Sequence, residues 1–299
     1  MRMIKPLALV STTVAALILS ACGSSSLGSE PAGSSSEAAT PSAVVKNDEL
    51  AAKLPESIAQ SGTIVIGTDA SYAPNEYLGV DGKTVEGMDV DLFDAVAAKF
   101  GVKTDWQPAD FRAIITGVQG KKYDVGVSSF TINDQRKKQV NMVSYYSAGT
   151  AWAVPKGNPA KISIDDPCGK TVAVQTGTVQ QEDDLPKRQK DCGSDPIKIL
   201  SFDGQDRATS AVVNGQADAM LADSPVIAYA ITQSGDKIEQ LGEIYDSAPY
   251  GYVVAKAQTE FAQAIADALT ELKSDGTYDA ILTKWNLQDG GITDFAVNP

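Results

Sequence analysis

The sequence predicts an α/β fold built on a largely parallel sheet, and three observations predict it. Short β-branched runs alternate with stretches of helical period. The runs end in Gly, Asp, Ser or Thr, the residues that serve turns and helix starts. The spacing between successive runs leaves room for a helix each time, which is the pattern of βαβ units.

Taken in order, residues 53–60 form a short helical approach, and TIVIGTD (63–69) is a buried strand ending in Gly and Asp. Residues 69–74 (Asp-Ala-Ser-Tyr-Ala-Pro) make the loop at its carboxyl end, the edge at which open α/β sheets bind ligands. After the Asp81-Gly82 turn, Leu92, Phe93, Val96 and Phe100 recur on one helical face, with Asp89 as the expected N-cap and Gly101 as the stop. Residues 102–106 form a second strand. Asp110 is expected to cap a helix lined by Phe111, Ile114, Ile115 and Val118, and residues 123–127 form the third strand. Residues 150–154 read as an extended crossover.

The second half repeats the scheme. Residues 170–174 form a strand running into a Gly-Thr turn, and residues 180–190 are helical until Pro186 interrupts them. Residues 197–202 form another strand. A helix, a turn at Gly215, a strand (218–221) and a helix start at Ser224-Pro225 follow, with Asp223 before them. Residues 231–245 close this half, and residues 250–256 return to the first. Phe261, Ile265, Ala268, Leu269 and Leu272 then share one helical face. The tail after Leu287 has little periodicity and reads as a surface extension.

The amino terminus carries Arg2 and Lys5, an apolar stretch over residues 7–19 too short for a comfortable membrane span, and Leu-Ser-Ala-Cys ending at Cys22. This resembles a bacterial lipoprotein signal, with residues 1–21 removed and Cys22 lipidated, so the protein is expected to be exported and anchored on the outer face of the cell membrane. Residues 22–45 are rich in Gly, Ser, Ala, Pro and Glu and form a flexible tether, with a reach of roughly 25 Å for twenty such residues. The net charge is −13, and loss of Arg2 and Lys5 makes the remainder more acidic still, which argues against nucleic acid as a partner. There is no His, and Cys168 and Cys192 are the only cysteines besides Cys22. In an exported chain that even pair reads as a disulfide; a metal site competes poorly, since two Cys without His make no zinc set. The absence of His also removes the usual base for Ser or Cys nucleophiles. No metal or cofactor is expected.

The densest chemistry lies in SSFTINDQR, residues 128–136. Hydroxyls, an Asn133 helix cap with free N–H groups behind it, and the Arg136 guanidinium are gathered after a buried strand, as a bound carboxylate requires. Taken alone, the same residues also describe a capped surface helix with Arg136 in solvent.

GTDASYAP, GMDVDLFDAVAAKFG, FRAIITGVQGKKYDV, SSFTINDQRKK, QTGT, ADSP and DGTYDAILTKW follow in the order and spacing of extracellular solute-binding protein family 3, the amino-acid-binding proteins of ABC importers. The resemblance runs over residues 60–290. It implies a type II periplasmic-binding-protein-like fold. One lobe would comprise residues 46–150 and 250–290, the other residues 151–249, with residues 291–299 as a tail. Two hinge crossovers would join the lobes, the ligand lying in the cleft between them. It also implies a membrane permease as partner, and a monomer. By position, Arg136 and Thr131 would take the ligand carboxylate, joined by the N–H groups of Thr178 and Val179. Ser129 and Asp223 would hold the α-ammonium, with Ser128 near the ligand backbone. Tyr72 and Phe111 would sandwich the side chain, and Asp69 and Gln175 would read its tip. Two positions depart from the family: Asn75, before Glu76, stands where many relatives have Phe, and Met88 replaces the Phe of GFD. Asn75 suggests a polar ligand, and Asp69 with Glu76 favours a basic or amide side chain. The rival readings are a cleft enzyme like cyclohexadienyl or arogenate dehydratase, using Asp69, Glu76 or another carboxylate as acid or base, and an amino-acid sensor.

Overall fold

A computed structural model describes residues 44–299. The signal, Cys22 and nearly all of the tether lie outside the described residues. In chain order the strands are β1 (Thr63–Thr68), β2 (Ser71–Tyr72), β3 (Glu76–Leu78), β4 (Val85–Glu86), β5 (Lys103–Pro108), β6 (Val125–Gly126), β7 (Val140–Pro155), β8 (Thr171–Gln175), β9 (Lys198–Phe202), β10 (Ala219–Asp223) and β11 (Ile238–Ala255).

Eight of them form one mixed sheet in the order β5-β1-β6-β11-β7-β10-β8-β9. The outer triplets are parallel: β5, β1 and β6 on one side, β10, β8 and β9 on the other. In each, the first strand of its half lies in the middle. The two long strands β7 and β11 run antiparallel between the triplets. They are far longer than the crossovers the sequence predicts, because one continuous ladder serves both halves. Its register slips between Leu241 and Tyr245, between Tyr245 and Ala248, and between Tyr250 and Gly251, where the strands pass from one half to the other.

Helices cover both faces of each triplet. Leu92, Phe93, Val96 and Phe100 of the helix Met88–Phe100 are buried against Ile64, Ile66, Tyr252 and the helix Thr259–Ser274. On the opposite face Phe111, Ile114 and Val118 pack on Tyr123, Met142 and Val253. In the second half, Ala208, Val212 and Ile227 pack on one face of the sheet, and Leu185, Ile197 and Trp152 on the other. The full burial of these apolar side chains accounts for the periodicities read from sequence.

Four local expectations are corrected. Asp89 is not the N-cap of its helix: Gly87 holds that place, with a backbone only glycine adopts readily (φ 143°), and a Cβ there would overlap the Asn75 carbonyl. Asp110 sits at the cap position but its side chain makes no capping bond; Asp69 accepts the Phe111 N–H instead, at 3.1 Å. Pro186 does not end the helical run: it stands where the π-type turn Gln180–Asp184 passes into the helix Leu185–Gln189. The tail is not a free extension: Ser144 and Ala296, Asn298 and Met142 are joined by backbone hydrogen bonds, Val297 pairs with Val143, and Phe295 is buried. It covers a stretch of β7 that would otherwise be an open strand edge.

Cys168 and Cys192 form a disulfide, with 5.2 Å between their Cα atoms, tying the entry to β8 to the turn after the helix Leu185–Gln189. In the chain-entropy picture, closing this loop contributes roughly 3 kcal/mol. Replacing both cysteines by serine is expected to lower stability by about that amount, measured as a drop in the urea midpoint at unchanged slope.

Candidate functional site

The carboxyl ends of the parallel strands carry the chemistry: Asp69 follows β1, Ser128 follows β6, Gln175 ends β8 and Asp223 ends β10. Between them lies a narrow cavity of about 10 Å³, roughly the room of one water molecule. Its lining comprises Asp69, Tyr72, Phe111, Ser128, Ser129, Thr131, Arg136, Gln175, Thr178, Val179, Gln180 and Asp223. Every residue assigned to the ligand by resemblance is among them, and Gln180 is added.

Asn133 caps the helix Asp134–Gln139 as expected, accepting from the Arg136 N–H at 2.8 Å. The Arg136 side chain is buried, so the exposed-arginine alternative is excluded. Its guanidinium packs over the stacked rings of Phe111 and Phe130, 5.5 Å from each centroid. It donates to two carbonyls, Thr131 at 2.9 Å and Gly177 at 3.0 Å, the latter from the other half of the chain. No carboxylate among the described residues lies within ion-pair distance of it, and burial pulls its pKa down. The Thr178 and Val179 N–H groups also meet no acceptor among the described residues. Arg136 thus retains unused donors beside free backbone N–H groups, which is the equipment for a carboxylate.

Asp223 is a buried carboxylate with three side-chain donors: Tyr250 at 2.8 Å, Tyr72 at 2.9 Å and Gln180 at 2.7 Å. Burial raises its pKa, while these donors and the Arg136 charge oppose the rise. Gln180 also donates to Thr150. It was missed because a Gln inside a polar run carries no sequence signal of direction; the turn Gln180–Asp184 is a π-type turn that buries it.

Asp69 occupies the loop after β1. Its carboxylate accepts from Ser71 Oγ at 2.6 Å, Gln175 Nε2 at 2.9 Å and Phe111 N–H at 3.1 Å. Burial nevertheless raises its pKa to about 6.

Ser128 and Ser129 turn their hydroxyls away from the cavity. Ser128 Oγ accepts from Asp69 N–H and donates to Glu76 Oε1, each at 3.0 Å. Ser129 Oγ accepts from Asn75 Nδ2 at 2.9 Å and lies 3.2 Å from both Glu76 Oε2 and Asp89 Oδ2. Ser129 adopts a left-handed backbone (φ 48°), and neither serine carbonyl accepts a hydrogen bond among the described residues. The carbonyls, not the hydroxyls, are therefore the groups left for a cation. The same contacts correct the reading of Asn75 and Glu76. Both are fully buried behind the serines and neither lines the cavity.

Bonds across the cleft join the two halves: Arg136 to Gly177, Tyr72 to Asp223, Gln175 to Asp69, and Gln205 N–H to Ser71 Oγ at 3.0 Å. Arg112 and Asp203 meet at 3.4 Å at the exposed rim, where an ion pair contributes little. Among the described residues no cluster of three or more His, Cys, Asp or Glu side chains could hold a metal, and no helix is long and apolar enough to cross a membrane.

The chain is 34% identical over 253 residues to the arginine-binding protein ArgT of Corynebacterium glutamicum, covering 84% of this chain and 83% of that protein. Among solved structures it is similar to an ancestral arginine-binding protein bound to arginine, with 37% identity, a TM-score of 0.70, and coverage of 75% of this chain and 98% of that one. It is also similar to the ancestral amino-acid-binding protein AncCDT-1, a precursor of cyclohexadienyl dehydratase, with 34% identity, a TM-score of 0.68, and coverage of 77% and 98%. The model of the bacterial extracellular solute-binding proteins, family 3, matches residues 64–288, and the chain belongs to that family.

Proposed function

We propose that this protein is the extracellular binding component of an ABC importer, and that its ligand is a cationic L-amino acid, arginine foremost. The observation that carries the reading is the charge balance of the cavity. Asp69 and Asp223 line it as buried carboxylates without a cation in contact, against one buried guanidinium, Arg136. A ligand with one carboxylate, an α-ammonium and a cationic side chain neutralises all three. Arg136 and the Thr178 and Val179 N–H groups take the carboxylate, Asp223 and the Ser129 carbonyl the ammonium, and Asp69 with Gln175 the side-chain cation, with Tyr72 and Phe111 against its stem. Residues 46–150 with 250–290 form one lobe and residues 151–249 the other. The two hinge on β7 and β11, and closure presents a surface to the permease. Lipidation at Cys22 anchors the monomer outside the membrane. The arginine-binding names of ArgT and of the ancestral structure support the same reading.

A dehydratase needs a protonated donor inside the cavity. Glu76 lies behind the serines, and Asp69, the acid that does line the cavity, is already engaged by Ser71, Gln175 and the Phe111 N–H, which supports a binding role for the site.

In a thermal-shift panel over the amino acids, arginine at about 100 times its dissociation constant is expected to stabilise the protein by roughly 2.7 kcal/mol. Arg136→Ala is expected to weaken binding on the order of a hundredfold or more by calorimetry, because it leaves the carboxylate buried without its charge-assisted bonds. A flat response over the whole panel overturns the reading.

Asp69 also makes a stability prediction. Its folded pKa of about 6 lies above the ordinary 3.8, so the stability it supports is complete below about pH 4 and is lost as pH rises through about 6. The stability difference between Asp69→Asn and wild type, measured without ligand, is therefore expected to shift in the variant's favour by roughly 1–3 kcal/mol between pH 4 and pH 7, while arginine binding weakens. Melting at the two pH values and titration with arginine check both halves.

A further inference from the structure

Behind Ser128 and Ser129 lies a pair of acids that the binding scheme does not use. Glu76, on β3, and Asp89, on the first turn of the helix Met88–Phe100, are both fully buried, and one oxygen of each lies 3.2 Å from Ser129 Oγ. The titratable groups that face them are Asp69, Tyr72, Tyr145, Tyr146 and Tyr252, all acids. Nothing there compensates two adjacent anions, and like-charged carboxyls in such contact retain a proton between them.

The hydrogen-bond geometry makes the same demand independently. Ser129 Oγ has one hydrogen, is already an acceptor for Asn75, and lies 3.2 Å from one oxygen of each carboxyl. It can donate to only one of them. One additional proton resolves the contact: Glu76 Oε2 donates it to Ser129 Oγ, whose own hydrogen goes to Asp89 Oδ2. Asp89 holds the stronger set of donors, namely Tyr145 Oη at 2.6 Å and the Ser129 N–H at 3.0 Å, so it is the ionised member and Glu76 carries the proton.

We propose that Glu76 and Asp89 are a proton-sharing carboxyl pair that positions Ser128 and Ser129 for the ligand ammonium. Asp89 grips the Ser129 N–H and hydroxyl and so holds that residue in its left-handed conformation, which leaves the Ser129 carbonyl free toward the cavity. Protonated Glu76 receives the Ser128 hydroxyl, which in turn receives the Asp69 N–H, linking the pair to the loop that reads the side chain. Both acids are positioning residues: neither touches the ligand.

The inference rests on the amino-acid-binding reading for its effect on affinity, and the test separates the two. Infrared spectra of the wild-type protein at pH 7 are expected to show the carbonyl stretch of a buried carboxylic acid that is missing in Glu76→Gln; this readout needs no ligand. With L-arginine as probe, Glu76→Leu is expected to weaken binding on the order of tenfold to a hundredfold, and Glu76→Gln, a neutral mimic of the protonated acid, to restore it to within about threefold of wild type. Asp89→Asn, which removes the ionised member, is expected to remain at least about tenfold weaker. Absence of the acid band, equal losses for Glu76→Leu and Glu76→Gln, or unimpaired binding by Asp89→Asn overturns the proposal. Should Glu76→Leu fail to fold, the band and the contrast between the other two variants decide it. A wild-type protein that shows the band but binds no arginine refutes the ligand reading alone.

Discussion

The structure depends on an imbalance of buried charge. Asp69, Glu76, Asp89 and Asp223 are buried around or behind one cavity, against Arg136 as the buried base there. A protein that buries charge without pairing it normally loses stability, so such an arrangement is held only by a framework stronger than the penalty. Here the framework is hydrogen bonding. Asp223 has three side-chain donors, Asp89 has Tyr145 and Ser129, and Asp69 has Ser71, Gln175 and the first N–H of a helix.

The sheet places these acids together. Because the first strand of each half lies in the middle of its triplet, the loops after β1 and β8 emerge beside those after β6 and β10, and β7 and β11 bring the two sets to one cavity. Tyr250 shows how tightly ladder and site are joined. It lies on β11 beside a register slip, packs against Tyr146 of β7, and bonds Asp223 through its hydroxyl. In the proposed hinge motion about these strands, the donors around the carboxylate would change with the angle between the halves.

What sequence made legible follows a physical division. Strands with β-branched runs and helices with one apolar face declare themselves through burial, and a cap such as Asn133 through a local bond to Arg136 N–H. The cavity lining was legible for residues in distinctive local strings, such as the serines before Thr131 and the Asp before Ser224-Pro225. Gln180, Glu76 and Asp89 were harder to place for the opposite reason: their partners lie far away in sequence, Gln180 with Asp223, Glu76 with Ser128 and Asp89 with Tyr145. Gln180 stands in a polar string, while Glu76 was expected at the ligand and Asp89 at a helix cap, and the fold instead encloses both acids behind the serines. The tail escaped because a few backbone bonds along a strand edge need no side-chain alternation.

The same division bears on selectivity. An amide side chain offers Asp69 hydrogen bonds, but Asp69 already receives them from Ser71, Gln175 and Phe111. What those donors do not supply is positive charge, and the pKa of about 6 measures that deficit: burial still outweighs them all. A guanidinium or ammonium group removes the deficit, whereas an amide leaves it in place. Asp223 makes no such distinction in the proposed scheme, because the α-ammonium it would hold is common to both ligands. The discriminating quantity is the free energy of neutralising the one carboxylate assigned to the side chain, and at Asp69, which the fold has desolvated, this favours the cation.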